Sequence, residues 1–139
     1  MARRSRAREV ALQLLFQRDQ NPTGMPREAV EKFAADRLND DTELAAYCLD
    51  LFDGVVKSLP EIDPKISATA TNWRLHRMLA VDRNVLRLGV WELLYAEDVP
   101  DSVAITEAMA LVTDLSTDES PQFVNGVLGA VQRNKASLV

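Results

Sequence analysis

The stretch VDRNVLRLGVWELLYAEDVP, residues 81–100, limits the fold more than any other part of the chain. At the helical period of 3.6 residues, Leu86, Val90, Leu93 and Leu94 share one apolar face, while Val81, Val85, Leu88 and Tyr95 share another. A helix that is apolar nearly all round must be covered on nearly all sides, so residues 81–96 are expected to form a central helix. Asp82 is placed to cap its N-terminus. Glu92 falls inside the second stripe and is expected to be ion-paired or hydrogen-bonded, because an isolated buried carboxylate is costly.

The remaining segments also repeat at helical spacing, and strand-type alternation never runs far. Ala7, Val10, Ala11, Leu14 and Leu15 fall on one stripe, giving a first helix over about residues 5–19. The loop NPTGMP, with one glycine and two prolines, ends it. Pro26 suits the first turn of a second helix reaching about Leu38, with Val30, Phe33, Ala34 and Arg37 on one side. A third begins where Asp40, with Glu43 three residues on, resembles a capping box. Its stripe is Leu44, Cys48, Leu51, Phe52, Val55 and Leu59, opposite an acidic face of Glu43, Asp50 and Asp53. Pro60 and Pro64 are expected to break the chain, with Ile62, Ile66 and Ala70 marking a separate shorter helix up to Trp73.

After Pro100, Asp101 or Ser102 can cap a helix whose stripe is Ala104, Ala108, Leu111, Val112 and Leu115. Ser120 as N-cap and Pro121 at the first helical position open the last helix, which buries Val124, Val127, Leu128 and Val131. Asn125, Gly126 and Gly129 lie on its other side. Two glycines inside a helix cost roughly 1 kcal/mol each against alanine, so close approach by a neighbouring helix or a ligand is expected there. Trp73 and Trp91 are expected in the core. The result is an all-α fold of about seven helices in a single domain, residues 1–139, with no internal repeat.

At 139 residues the chain can bury a core unaided, and 47% hydrophobic with 27% charged residues is a globular composition. No apolar run approaches the roughly 20 residues that cross a bilayer, and the basic N-terminus leads into an amphipathic segment rather than a secretory signal. The single cysteine, Cys48, excludes an internal disulfide and a cysteine-rich zinc site; as a buried thiol it fits a reducing cytosol. One histidine, His76, is too few for a histidine-based metal site, and no motif supports a catalytic triad, a phosphate-binding glycine loop or a dinucleotide fingerprint. No catalytic residues, metal or cofactor are expected.

Charge is distributed unevenly. Residues 1–18 hold five arginines (Arg3, Arg4, Arg6, Arg8 and Arg18) against Glu9, so the other 121 residues carry a net −9 within a total of −5. On a helix, Arg6 and Arg8 flank the buried stripe about 100° to either side of Ala7, with Arg3 and Arg4 on the lead-in. Arginine binds phosphate bidentately and stacks on bases, so nucleic acid is the favoured partner. Charge alone leaves RNA, DNA, an acidic protein and a solvated tail open. A second constellation is DESPQFVNG, residues 118–126: the helix start offers unpaired N–H groups to an anion, Phe123 can stack a base and Asn125 can hydrogen-bond a base edge. On spacing alone, Phe123 as core and Asn125 as surface is the simpler reading. Arg74, Arg77, Arg83 and Arg87 can extend a basic face or pair with acids such as Asp82 and Glu92.

The segments RSRAREVALQLLFQ, WRLHRMLAVDRNVLRLGVWELL, VPDSVAITEAMAL and SPQFVNGVLGAV closely resemble the NusB family of transcription antitermination factors, in the family's order and over nearly the whole chain. The resemblance implies two small helical bundles sharing a central helix, with residues 81–96 suited to that place. It implies a non-enzymatic, cytoplasmic RNA-binding protein. Its expected ligand is the single-stranded boxA element of ribosomal RNA leader transcripts. The expected partners are NusE, a small-subunit ribosomal protein, and the RNA polymerase antitermination complex, with no membrane involved. The RNA-binding residues that it implies are Arg3, Arg4, Arg6, Arg8, Phe16, Glu119, Gln122, Phe123 and Asn125. Ser5 stands where relatives often carry another arginine, Gln122 where some carry lysine, and Phe16 lacks a tyrosine hydroxyl. Two alternatives remain beside this reading: an adaptor whose basic face binds protein instead of RNA, and a homodimer that covers the arginine face.

Overall fold

A computed structural model describes residues 2–70 and 74–135. Among them are six α-helices and one 3₁₀ turn, with no strand: α1 Ala2–Asp19, α2 Arg27–Arg37, α3 Thr42–Thr69, the turn Leu75–Arg77, α4 Ala80–Tyr95, α5 Asp101–Leu115 and α6 Ser120–Arg133. Trp73 lies outside the described residues. The chain divides into two compact units, one ending at Val56 and one beginning at Lys57, so the division falls inside α3.

In the first unit α1 packs against α2, and the α1 stripe is buried as its spacing predicts, with Ala7, Val10, Ala11 and Leu14 fully covered. Val30, Ala34 and Leu38 supply the buried positions that follow, and Leu44, Cys48, Leu51, Phe52 and Val55 those of α3. The start of α3 differs from expectation by one residue. Asn39 and Asp40 both take left-handed backbone, φ 56° and 59°, a conformation that Asn and Asp tolerate best among side-chain-bearing residues. Asp40 is thereby used up in the turn, and the cap is Asp41, whose Oδ1 accepts the Leu44 N–H at 3.0 Å.

Pro60 and Pro64 do not break the helix; both lie inside α3, which is one helix where two were expected. Each proline removes an N–H, leaving the carbonyls of Val56 and Pro60 without their intrahelical donors. Both rings face solvent, while Val55, Ile62 and Ile66 are fully buried. Burial of the apolar face outweighs two lost hydrogen bonds.

In the second unit α4 packs against both α5 and α6, and those two pack against each other. Every residue from Asn84 to Val90 is buried, as a helix apolar on two faces requires, but Tyr95, expected on the second of those faces, is exposed at the helix end. Trp91 is half-buried, and Leu115, expected on the α5 stripe, is exposed. Glu92 is 1% exposed and does not stand without a partner. The close approach is made at Gly89: a Cβ there would meet Leu128 Cδ2 at 3.0 Å and the Ala108 Cβ at 3.5 Å. At Gly126 a Cβ would meet nothing within 4 Å, so neighbouring-helix packing does not explain that glycine.

Candidate nucleic-acid interface

The first unit carries the arginines, and their guanidinium groups are held by partners that lie mostly beyond α1. Arg3 pairs with Asp41 at the start of α3, and Arg6 NH1 lies 3.2 Å from Glu9 Oε1, one turn along α1. Arg4 stacks over the Tyr47 ring with its Cζ 4.4 Å from the centroid, and Arg8 approaches the same ring at 6.0 Å. Asp41 serves the Leu44 and Glu43 backbone N–H groups and Arg3 at once. The Leu44 N–H and then the Arg3 guanidinium hold its carboxyl below the usual aspartate range.

Exposure separates the four arginines. Arg3 is exposed and Arg4 and Arg6 are half-buried, whereas Arg8 is only 3% exposed. Arg8 therefore adds its charge from beneath the surface. Phe16, further along α1, keeps 40% of its surface exposed. An exposed aromatic on the same helix as three accessible arginines provides a stacking surface and phosphate-binding forks together. Tyr47 and Asp41 were not singled out from sequence. An aromatic beside the α3 stripe was visible there, but its pairing with Arg4 depends on which helices meet.

The second unit holds a cavity of about 450 Å³ lined by Arg77, Met78, Leu79, Asp82, Thr117, Glu119, Ser120, Gln122 and Phe123. Three expected site residues, Glu119, Gln122 and Phe123, thus come together with the turn before α4. Phe123 is half-buried against the cavity, Glu119 and Gln122 are exposed, and Asn125 is exposed but does not line it.

Asp82 is the buried acidic group lining this cavity, 6% exposed, and it does not cap α4. Ser116 Oγ donates to its Oδ1 at 2.6 Å and Ser120 Oγ to its Oδ2 at 2.8 Å. Each hydroxyl has one proton, so the 2.8 Å contact between Thr117 and Ser120 is made by Thr117 donating. This chain of hydroxyls ties the first turn of α6 to α4. Ser120, expected to cap α6, is instead its first residue, with Glu119 at the cap position and no side-chain cap bond. Nearby, the Arg87 fork grips Asp63 at 2.9 Å on both arms, and Arg83 donates to the carbonyls of Leu75 and Met78 at 3.3 and 3.4 Å. Arg83 and Arg87 are thus structural, while Arg74 and Arg77 are exposed.

Comparison with known proteins gives one consistent answer. Residues 5–133 match the model of the NusB family. The transcription antitermination protein NusB of a Nocardioides species is 54% identical over 138 residues, covering 99% of each chain. Among solved structures, T. maritima NusB superposes with a TM-score of 0.85 at 32% identity, over 96% of this chain and 92% of that one. A second match, at TM-score 0.84 and 28% identity over 96% and 98% of the two chains, comes from the crystal structure of antitermination factors NusB and NusE in complex with double-stranded RNA.

Proposed function

The chain belongs to the NusB family, and from that premise we propose that it acts in transcription antitermination by binding boxA-like RNA of ribosomal leader transcripts together with NusE. A similar protein is known in complex with NusE and RNA. The reading is of a binding protein and not an enzyme, working in the cytoplasm as part of the RNA polymerase antitermination complex. Among the described residues no helix is long and apolar enough to cross a membrane. Residues 1–139 are read as one functional domain, because the family match runs through the division at Val56 into both units.

The observation that carries this reading is selective exposure. The apolar stripes are buried, yet Arg3, Phe16, Glu119, Gln122 and Asn125 stand exposed, and Arg4, Arg6 and Phe123 are half-buried. Arg3, Arg4 and Arg6 would take backbone phosphates. Phe16 and Phe123 would stack bases, and Glu119, Gln122 and Asn125 would hydrogen-bond base edges. Arg8 would contribute long-range charge and support Tyr47.

The test is titration of single-stranded boxA-like RNA with and without NusE, using the wild type and an Arg4→Ala/Arg6→Ala variant. Wild-type affinity should fall as salt rises, by a log–log slope of about −0.7 per phosphate contact, and the double variant should bind more weakly with a shallower slope. Equal binding by the folded variant would remove the arginines from the site.

A further inference from the structure

We infer that Asp41 and Glu9 hold down the affinity of the arginine face for RNA, each holding a guanidinium that a phosphate must take over. This rests on the RNA-binding reading above. In the free protein Arg3 is paired with Asp41 and Arg6 with Glu9, and all four side chains reach solvent, so the pairs can open and exchange. Exposed pairs of this kind add little to stability. Their consequence is for binding.

Asp41 cannot swing away with its partner. Its Oδ1 is fixed by the Leu44 N–H at 3.0 Å, at the first turn of α3. A phosphate that captures Arg3 leaves that carboxylate uncompensated and close by, and like charges repel. Glu9 likewise stays beside Arg6, because both belong to the first turns of α1. A polyanion of arbitrary sequence therefore gains little from Arg3 and Arg6, since it exchanges one anion for another. An RNA that also satisfies stacking and base-edge groups recovers what the exchange costs. The two carboxylates thus impose an electrostatic cost on any RNA backbone, which phosphate contacts alone repay poorly. They also fit the charge pattern, in which a basic end in a chain of net −5 meets one counter-charge of its own, Glu9, and one at the start of α3, Asp41.

The experiment compares Glu9→Gln, Asp41→Asn and the double variant with the wild type. Asparagine at 41 keeps an oxygen to cap α3, so only the charge is removed. Asp50→Asn serves as the control, an exposed α3 carboxylate outside both pairs. Affinities are measured for a boxA-like RNA and for a scrambled RNA of equal composition, at several salt concentrations, with melting temperature followed in parallel.

Scrambled RNA should bind roughly fivefold tighter per carboxylate removed, the scale of unit charges about 4 Å apart in a water-like dielectric. The boxA-like RNA should gain by a similar factor, because phosphate contacts carry no sequence information. The salt slope should steepen by up to about 0.7 for each arginine released. Asp50→Asn should do none of this. Unchanged or weaker scrambled-RNA binding by the folded variants overturns the inference, as does an equal gain in Asp50→Asn. If Asp41→Asn lowers the melting temperature, Glu9→Gln alone decides. If the wild type binds no RNA, the reading of the site fails and this inference fails with it. If it binds RNA but the carboxylate variants behave as wild type, only the inference fails.

Discussion

At Cys48 a single atom reports the packing around it. Burial, with the Asp53 charge adding to it, pushes the thiol up to about 12. An unfolded cysteine titrates near 8.5, so from about pH 8.5 upward the unfolded chain releases a proton that the folded one retains. This contribution to stability is intact below about pH 8.5 and is lost progressively toward about 12. A thiol-reactive disulfide reagent at pH 8 should label the native protein slowly and the urea-unfolded protein fast; fast native labelling would show Cys48 to be accessible. Asp82 makes the complementary case of a buried charge held by hydroxyls. Asp82→Ala leaves the Ser116 and Ser120 donors without their acceptor and should lower stability by about 1–3 kcal/mol in urea unfolding, with Asp82→Asn costing less because one oxygen remains. The capping position visible at Asp82 in the sequence was the right residue with the wrong partner. Its acceptors serve hydroxyls 34 and 38 positions away, which no local spacing could indicate.

Among the helices, α4 and α6 show how one residue type has opposite meanings on two elements. Gly89 faces the fully buried Leu128, whose methyl carbons lie 3.0 and 3.2 Å from an added Cβ. Gly89→Ala gains helix propensity of about 1 kcal/mol but forces a packed side chain to move, an overpacking cost of roughly 1–3 kcal/mol, so the melting temperature should fall. Gly126 faces open space, and Gly126→Ala should raise stability by roughly 0.5–1 kcal/mol. A matched pair of thermal melts checks both, and a higher melting temperature in Gly89→Ala would contradict the close approach. The sequence drew attention to Gly126 and Gly129, because glycine in an apolar–polar boundary is visible, and passed over Gly89, because the contact is made by other helices. In α3 the reverse held: Pro60 and Pro64 looked decisive locally, and the buried Val55, Ile62 and Ile66 carried the helix through them.

For the whole molecule, a chain of net −5 takes a polyanion only if its positive groups are gathered and oriented, and the first 18 residues hold five of its 16 basic residues. What the sequence by itself determined was local and periodic. Stripes at helical spacing made the protein all-α, the doubly apolar segment 81–96 made α4 a buried helix, and the arginines beside the α1 stripe marked a charged end. The motif resemblance identified the family because it depends on residue order alone. What only the tertiary structure decided was which groups meet. Arg8 is covered while Arg6 is only half-buried, although both flank one stripe. Tyr47 lies under Arg4, Asp63 takes Arg87, and Phe123 joins Arg77 and Leu79 around one cavity. The reason is physical: periodicity fixes the direction in which a side chain leaves its own helix, but the partner it finds is set by how helices distant in sequence pack, under the demand that buried polar groups be satisfied.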